Sequence, residues 1–388
     1  MAFRRTMPRT HQWAVLSRVL VVTLLAGCVR GMAAPKAPSA VVDLDIHGVG
    51  EPVFRIPALA VTKAGTLLAA YDARPTMADV PSPIKLVLRR STNGGATWGA
   101  RTVVRADTAP YGFGDPSFVV DQETGRVFLF HVASVRQGFF GSATGNRDDD
   151  PNVLQVDVSA SDDDGVTWRH RRLTSLVKDA AWGGLFGTSG LGIQLRHGTY
   201  AGRLVQQFVI RLRGATYAAS LVSDDHGATW RMGALVGPGV DENKVVELAD
   251  GTVLLNSRAK PFRRIAASRD GGLTYGALRE DRQLIDPANN AAIVRVDARA
   301  KKGTPDRLLF SNTADSTDRR RLTLRLSCDG GRSWPMSRVL VDGAAAYSTL
   351  AMLPDGDVGV LFERGAYEAI SFLRVRVASV GTCDSAGR

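Results

Sequence analysis

The chain is poor in cysteine and histidine, with 3 Cys and 6 His among 388 residues. No set of these residues with carboxylates has metal-ligand spacing. No phosphate-cradling glycine loop is present either, so no cofactor is predicted. Long apolar runs are missing after the first thirty residues, which leaves no later segment able to span a bilayer. Long stretches with a helical apolar period are also missing, which argues against an all-helical or α/β architecture. Clustered basic residues are scarce despite a formal net charge of +11: apart from Arg319-Arg320-Arg321, they come singly or as isolated pairs. With no nucleic-acid-binding motif, nucleic acid is not an expected partner. The positive charge is either a solvated basic surface or an attraction for an acidic partner such as an anionic sugar.

What is present begins with an export signature. Arg4, Arg5, Arg9 and Arg18 precede the short apolar run Val19 to Gly27, which ends in Leu25-Ala26-Gly27-Cys28. The run is too short for a stable anchor and reads as a signal peptide. Its end resembles a lipoprotein signal, which would make Cys28 the lipidated first residue of the mature chain. A simple secretory peptide cut near Ala33-Ala34 is the alternative. Either way the protein is expected outside the cytoplasm, secreted or lipid-anchored. The two remaining cysteines, Cys328 and Cys383, would then meet an oxidising compartment, which favours a disulfide over two free thiols.

One eight-residue pattern recurs five times, starting at Ser91, Ser161, Ser223, Ser268 and Ser327. Its form is Ser, any, Asp, any, Gly, any, Thr, aromatic, with Asn93 replacing Asp in the first copy and Ser333 replacing Thr in the last. The Asp is suited to accept backbone N–H groups of a turn, the Gly to take positive φ, the Thr to start a returning strand, and the ring to cover the hairpin from the side. The flanks read as strands, for example Ile84–Arg89, Leu154–Val158 and Leu322–Leu326. Repeats at this spacing match four-stranded units arranged radially. Five marked units and one unmarked predict an all-β, six-bladed β-propeller over residues 44–385, after a signal at 1–28 and a linker at 29–43. Only a short tail follows, with no appended sugar-binding module expected.

The repeat resembles the Asp box of sialidases. It marks a fold and does not by itself give a function. Further segments strengthen the likeness: Phe54-Arg55-Ile56-Pro57, Tyr71 to Asp79, Asp241 to Lys244, Leu255 to Arg258, Ser311 to Asp315 with Arg319, and Ala346-Tyr347-Ser348. They resemble, in order, segments of bacterial exo-α-sialidases of the actinobacterial type, over about residues 44 to 385. The resemblance implies that Arg55, Arg258 and Arg319 bind the carboxylate of sialic acid, a task that suits the planar, permanently charged guanidinium. Arg319 is chosen over its neighbours Arg320 and Arg321 by its distance to Tyr347. It also implies Tyr347 as a nucleophile: a neutral phenol avoids the repulsion that a carboxylate would meet at a carbon already bearing one. Glu242 is read as its base and Glu247 as structural. Asp79 is read as the general acid. Arg74 and Asp115 are read as further substrate-binding residues, though Asp115 before Pro116 is also a plain turn former. Trp182 and Gln207 are weaker candidates for the pocket wall.

The expected partners are sialylated glycoproteins, glycolipids or oligosaccharides, and the expected reaction is retaining hydrolysis of terminal α-linked sialic acid through a tyrosyl intermediate. A trans-sialidase and a non-catalytic glycan-binding propeller are the rival readings. The latter gives no reason to keep Tyr347, Glu242, Asp79 and three arginines together.

Overall fold

A computed structural model describes residues 1–2, 40–297 and 305–383. The signal-peptide and Cys28 readings fall outside the described residues. Those from 40 onward are almost wholly β-structure, with one four-residue helix, Thr174–Val177, and two short 3₁₀ turns.

The strands form sheets in chain order and pair antiparallel, except that the two-residue strand Gly190–Leu191 adds in parallel to the second sheet. The first contains Val53–Val61, Leu67–Arg74, Lys85–Ser91 and Thr102–Arg105. The second runs from Gly112–Val120 to Arg169–Arg172, the third is built on Leu204–Leu212 and Ala215–Ser223, and the fourth runs from Asn243–Glu247 to Arg279–Ile285. The remaining strands make a seven-stranded sheet held together by the long strand Met336–Met352. The first part of that strand, up to Ala344, pairs with Arg320–Ser327, while Ala345 to Met352 pair with Val358–Arg364. The seven strands thus consist of two four-stranded arrays sharing one strand. The second array is completed by Val42–Ile46, which pairs with Ala369–Val375 and so joins the two ends of the described chain.

Burial falls across each sheet from first strand to last. All of Val53–Phe54-Arg55-Ile56-Pro57-Ala58-Leu59-Ala60 is buried, whereas Thr102–Arg105 and Arg169–Arg172 are largely exposed. The first strands are therefore the inner ones, and Val53–Val61 accordingly reads as a nearly unbroken apolar run. Val53–Val61 packs beside Gly112–Val120 and Met336–Met352, and Asn243–Glu247 beside Ala292–Arg295.

The five repeated turns are built alike. In the second copy, Asp163 Oδ1 accepts the Thr167 N–H at 2.8 Å and Oδ2 accepts the Thr167 hydroxyl at 2.5 Å. Those donors hold the Asp163 carboxyl well below its usual range. Asn93 keeps the same pattern without charge, its Oδ1 accepting from Thr97 N–H at 2.9 Å. The serine has a role the sequence did not disclose: Ser161 Oγ accepts the Gly165 N–H at 2.9 Å and donates to Asp163. The aromatic ring also behaves differently from expectation. It does not simply flank its own hairpin; it reaches the preceding sheet. Trp98 meets Phe372 edge-on at 5.3 Å, Trp230 meets Phe128 and Phe130, Tyr275 shares a hydrogen bond with Ser220, and Trp334 donates to Asp281. Each ring finds its apolar burial in the seam between two sheets because its own outer hairpin is too thin to cover it.

Cys328 and Cys383 form a disulfide, with Cα atoms 5.7 Å apart, fastening the end of the described chain to the turn of the last repeat.

Gly227 has φ +81°, and a Cβ there would lie 2.1 Å from the Phe128 ring. Gly227→Ala is expected to lose about 2–4 kcal/mol of stability, from the left-handed backbone and the forced repacking. A shift of the denaturant midpoint at unchanged slope would register it. Replacing both Cys328 and Cys383 by Ser should cost about 2–4 kcal/mol, read the same way against the oxidised parent.

Candidate active site

Three inner strands are irregular at the same end. The register slips between Arg55 and Ala58, between Gly114 and Ser117, and between Ala345 and Ser348. Such bulges turn side chains out of the alternating pattern and aim them along the strand end. Two of them hold a non-glycine residue at positive φ, Ile56 at 62° and Asp115 at 57°. For a β-branched residue this is strained backbone, of the kind that clusters where function needs an unusual side-chain direction.

Tyr347 stands at the third bulge. Its hydroxyl donates to Glu242 Oε2 at 2.6 Å and accepts from Arg258 Nη1 at 2.8 Å. Arg258 Nη1 also lies 2.5 Å from Glu242 Oε2, closing a triangle. Burial and the Glu242 charge push the Tyr347 hydroxyl well above the usual phenol range, although Arg258 and Arg319 pull the other way. The phenol is therefore protonated at rest, with a carboxylate ready to accept its proton. Burial opposes the charge on Arg258, but Tyr347, Glu242 and Asp241 outweigh it, so the guanidinium is held firmly cationic.

Two more guanidiniums face the same ring. Arg55 Cζ is 5.5 Å and Arg319 Cζ 5.2 Å from the Tyr347 centroid. Of the three consecutive arginines, Arg319 is the one turned to Tyr347; Arg320 pairs with Asp315, and Arg321 lies 3.9 Å from Asp342. Arg55 donates through Nε and Nη2 to Glu363, and its Nη1 makes no hydrogen bond among the described residues. Arg258 Nη2 is likewise free of hydrogen bonds there. Positive charge with open N–H groups is the chemistry that suits a carboxylate.

The structure gathers Arg74, Asp79 and Asp115 nearby. Arg74 Nη1 donates to Asp79 Oδ1 at 2.6 Å, with Asp79 on an exposed loop and Arg74 almost fully buried. The Asp115 carboxyl is pushed well above its usual range by burial, then by the charges of Asp72 and Asp79. Glu247 lies at the other ends of the inner strands, where it accepts the N–H groups of Arg196 and His197 and lines a separate cavity of about 1430 Å³. Trp182 packs against the core between the second and third sheets, and buried Gln207 donates to Ser220.

Three residues of the cluster were not foreseen. Glu363 anchors Arg55 and accepts the Ile56 and Tyr347 N–H groups at 2.9 and 3.0 Å. Tyr367, at φ 67°, accepts from Arg319 Nη1 at 2.9 Å and lays its ring 4.6 Å from Arg55 Cζ. Asp72 holds Arg74 through two contacts, at 2.7 and 3.0 Å. A signal existed for two of them: Asp72 and Glu363 are the acids in strands whose other residues are almost all apolar, Leu67–Arg74 and Val358–Arg364.

Residues 65–360 match the model of a BNR repeat-like domain. The chain is 53% identical over 334 residues to a sialidase of Micromonospora viridifaciens, covering 83% of this chain and 52% of that protein. It is 31% identical over 329 residues to a sialidase of Bacteroides fragilis, covering 80% and 60%. It thus spans between half and three fifths of the length of these curated relatives. Among solved structures it is similar to the Hadza microbial sialidase Hz136, at TM-score 0.77 and 30% identity over 85% of this chain and 67% of that one. The leech intramolecular trans-sialidase, at TM-score 0.76 but 19% identity over 89% and 71%, shares the fold.

The pairing of Arg55 with Glu363 gives a stability test. Glu363→Ala leaves a buried guanidinium without its counter-charge and two backbone N–H groups without an acceptor, so a loss of about 3–5 kcal/mol is expected in denaturant unfolding.

Proposed function

We propose that this chain, which belongs to the BNR repeat-like domain family and counts sialidases among its relatives, is a retaining exo-α-sialidase acting on sialylated glycoproteins, glycolipids or oligosaccharides. The observation that carries the reading is the Tyr347 hydroxyl held between Glu242 and Arg258, with the Arg55 and Arg319 guanidiniums beside the same ring. Few reactions need a buried phenol, a carboxylate base and several cations at one point. Attack at an anomeric carbon that itself bears a carboxylate is one that does.

In this mechanism the arginines receive the sugar carboxylate. Tyr347 Oη attacks the anomeric carbon as Glu242 takes its proton, and Asp79 protonates the departing glycosidic oxygen. A covalent tyrosyl sugar forms and the aglycone leaves. Asp79, now a carboxylate, removes a proton from water, which displaces Tyr347. The phenolate recovers its proton from Glu242, and two inversions give net retention. The exposed loop position of Asp79 suits a group that must reach the leaving oxygen from outside. Arg74 and Asp115 would line the part of the site next to it.

The fold we propose is a six-bladed β-propeller. The serial four-stranded arrays, the gradient of burial and the pairing of Val42–Ile46 with Ala369–Val375 support it. We also propose export, by the N-terminal signal, with Cys28 as the lipid anchor point. The Cys328–Cys383 disulfide suits an oxidising compartment.

Hydrolysis of a sialyl-oligosaccharide, followed by proton NMR, tests the reading. The α-anomer of free sialic acid should appear first. Tyr347→Phe and Asp79→Ala should each lower turnover by about 10²–10⁴-fold while the protein stays folded. Wild-type rates in both variants, or sugar transferred to a glycan acceptor in place of water, would reject it.

A further inference from the structure

We infer that Asp72 is a positioning residue for the acid at Asp79: by sharing the Arg74 guanidinium, it offsets the charge that would otherwise fix Asp79 as a carboxylate. This rests on the reading of Asp79 as general acid.

The problem it solves is electrostatic. A guanidinium in hydrogen-bond contact favours the ionised form of a carboxyl group. A general acid in that form has no proton to give. Arg74 Nη1 is 2.6 Å from Asp79 Oδ1, and the Arg74 end of the contact is buried. Left alone with Asp79, Arg74 would work against the proposed chemistry.

Arg74 is not left alone. Asp72 lies two residues before it on the same strand and takes its Nη2 and Nε at 2.7 and 3.0 Å. The other oxygen of Asp72 accepts the Asp115 N–H at 3.2 Å, so the carboxylate ties the first inner hairpin to the second sheet. The fit leaves no slack: a Cβ on Gly114 would come within 3.1 Å of Asp72 Oδ2. Asp72 is wholly buried, whereas the Asp79 side chain is 75% exposed. The guanidinium is therefore held through Nε and Nη2 by a buried carboxyl group and through Nη1 by an exposed one.

The charged groups facing Asp72 are Arg74 from its own strand, Asp79 from the loop, Arg55 from the neighbouring strand and Asp115 from the second sheet. Burial pushes the Asp72 carboxyl up, and the Arg74 guanidinium in contact with it pulls it back toward the anion that offsets Arg74. Asp115 cannot take over, because burial and its acidic neighbours push its carboxyl well above the usual range and favour the neutral form.

Asp72→Asn keeps the shape and an acceptor for Arg74 while removing the charge. The test is the pH profile of kcat/KM on two substrates: a sialyl-oligosaccharide, whose leaving group needs a proton, and an aryl sialoside with a leaving group that does not. On the oligosaccharide the alkaline limb should move about one pH unit toward acid in Asp72→Asn. Asp72→Glu, which restores the charge, should return it toward the wild-type position. Asp72→Ser, a second neutral replacement, should move it like Asn and serves if Asn does not fold. A uniform fall in rate with the limb unmoved would mean a merely structural role and would overturn the inference. Asp79→Ala separates the two claims. It should slow the oligosaccharide at least tenfold more than the aryl sialoside. Equal losses on both would remove the acid role from Asp79, and this inference with it.

Discussion

The carboxylate of Glu363 is the contact on which most of the site depends. It takes the Nε and Nη2 of Arg55, the N–H of strained Ile56 and the N–H of Tyr347. Those partners lie at opposite ends of the sequence, 308 and 16 residues away. One buried anion therefore fixes the direction of a guanidinium, the bulge that carries it and the backbone of the phenol. The same strand, Val358–Arg364, lies one removed from the pairing that joins Val42–Ile46 to Ala369–Val375. Closure of the chain and assembly of the site are thus one event: until the last sheet forms, Arg55 has no counter-charge and Tyr347 no fixed position.

This arrangement explains where the backbone is strained. Strands packed in regular register point successive side chains to opposite faces. Gathering Arg55, Asp115 and Tyr347 at one end requires that regularity to fail, and it fails once in each of their strands. The opposite ends of those strands keep their register and carry apolar residues such as Val61, Val120 and Met352. The strain is local because each of these inner strands is buried and paired beyond its bulge, which supplies the rigidity to hold it.

The repeated turn was legible in the sequence because it is local. Ser161, Asp163, Gly165 and Thr167 satisfy one another within seven residues, so their spacing carries the geometry. What their aromatic partner touches was not legible: Trp98 and Phe372 meet only after the first and last sheets come together. The candidate site divides the same way. Arg55, Asp79, Glu242, Arg258, Arg319 and Tyr347 were named from motifs; the structure groups all but Asp79 around the Tyr347 side chain, and sets Asp79 against Arg74. Glu363, Tyr367 and Asp72 were not, since each acts by holding another residue. A supporting contact between positions far apart in sequence leaves no spacing to read. The trace it does leave is an acid in a strand that is otherwise buried and apolar.

The overall charge of +11 says little about the site, because the site is balanced locally. Arg55 leans on Glu363, Arg258 on Glu242 and Asp241, and Arg74 on Asp72 and Asp79. Arg319 is the exception, hydrogen-bonded among the described residues only to Tyr367 Oη and Ala288 O. Buried guanidiniums without acids would be costly to fold, whereas guanidiniums fully consumed by acids would have nothing to offer an anion. The observed compromise gives each of Arg55 and Arg258 an acid on one side of its fork and leaves the other side open. Arg319 then supplies a charge that no carboxylate among the described residues pairs with. On the proposed function, an incoming carboxylate would complete a set of ion pairs that the fold leaves one anion short, which would favour acidic over neutral sugars.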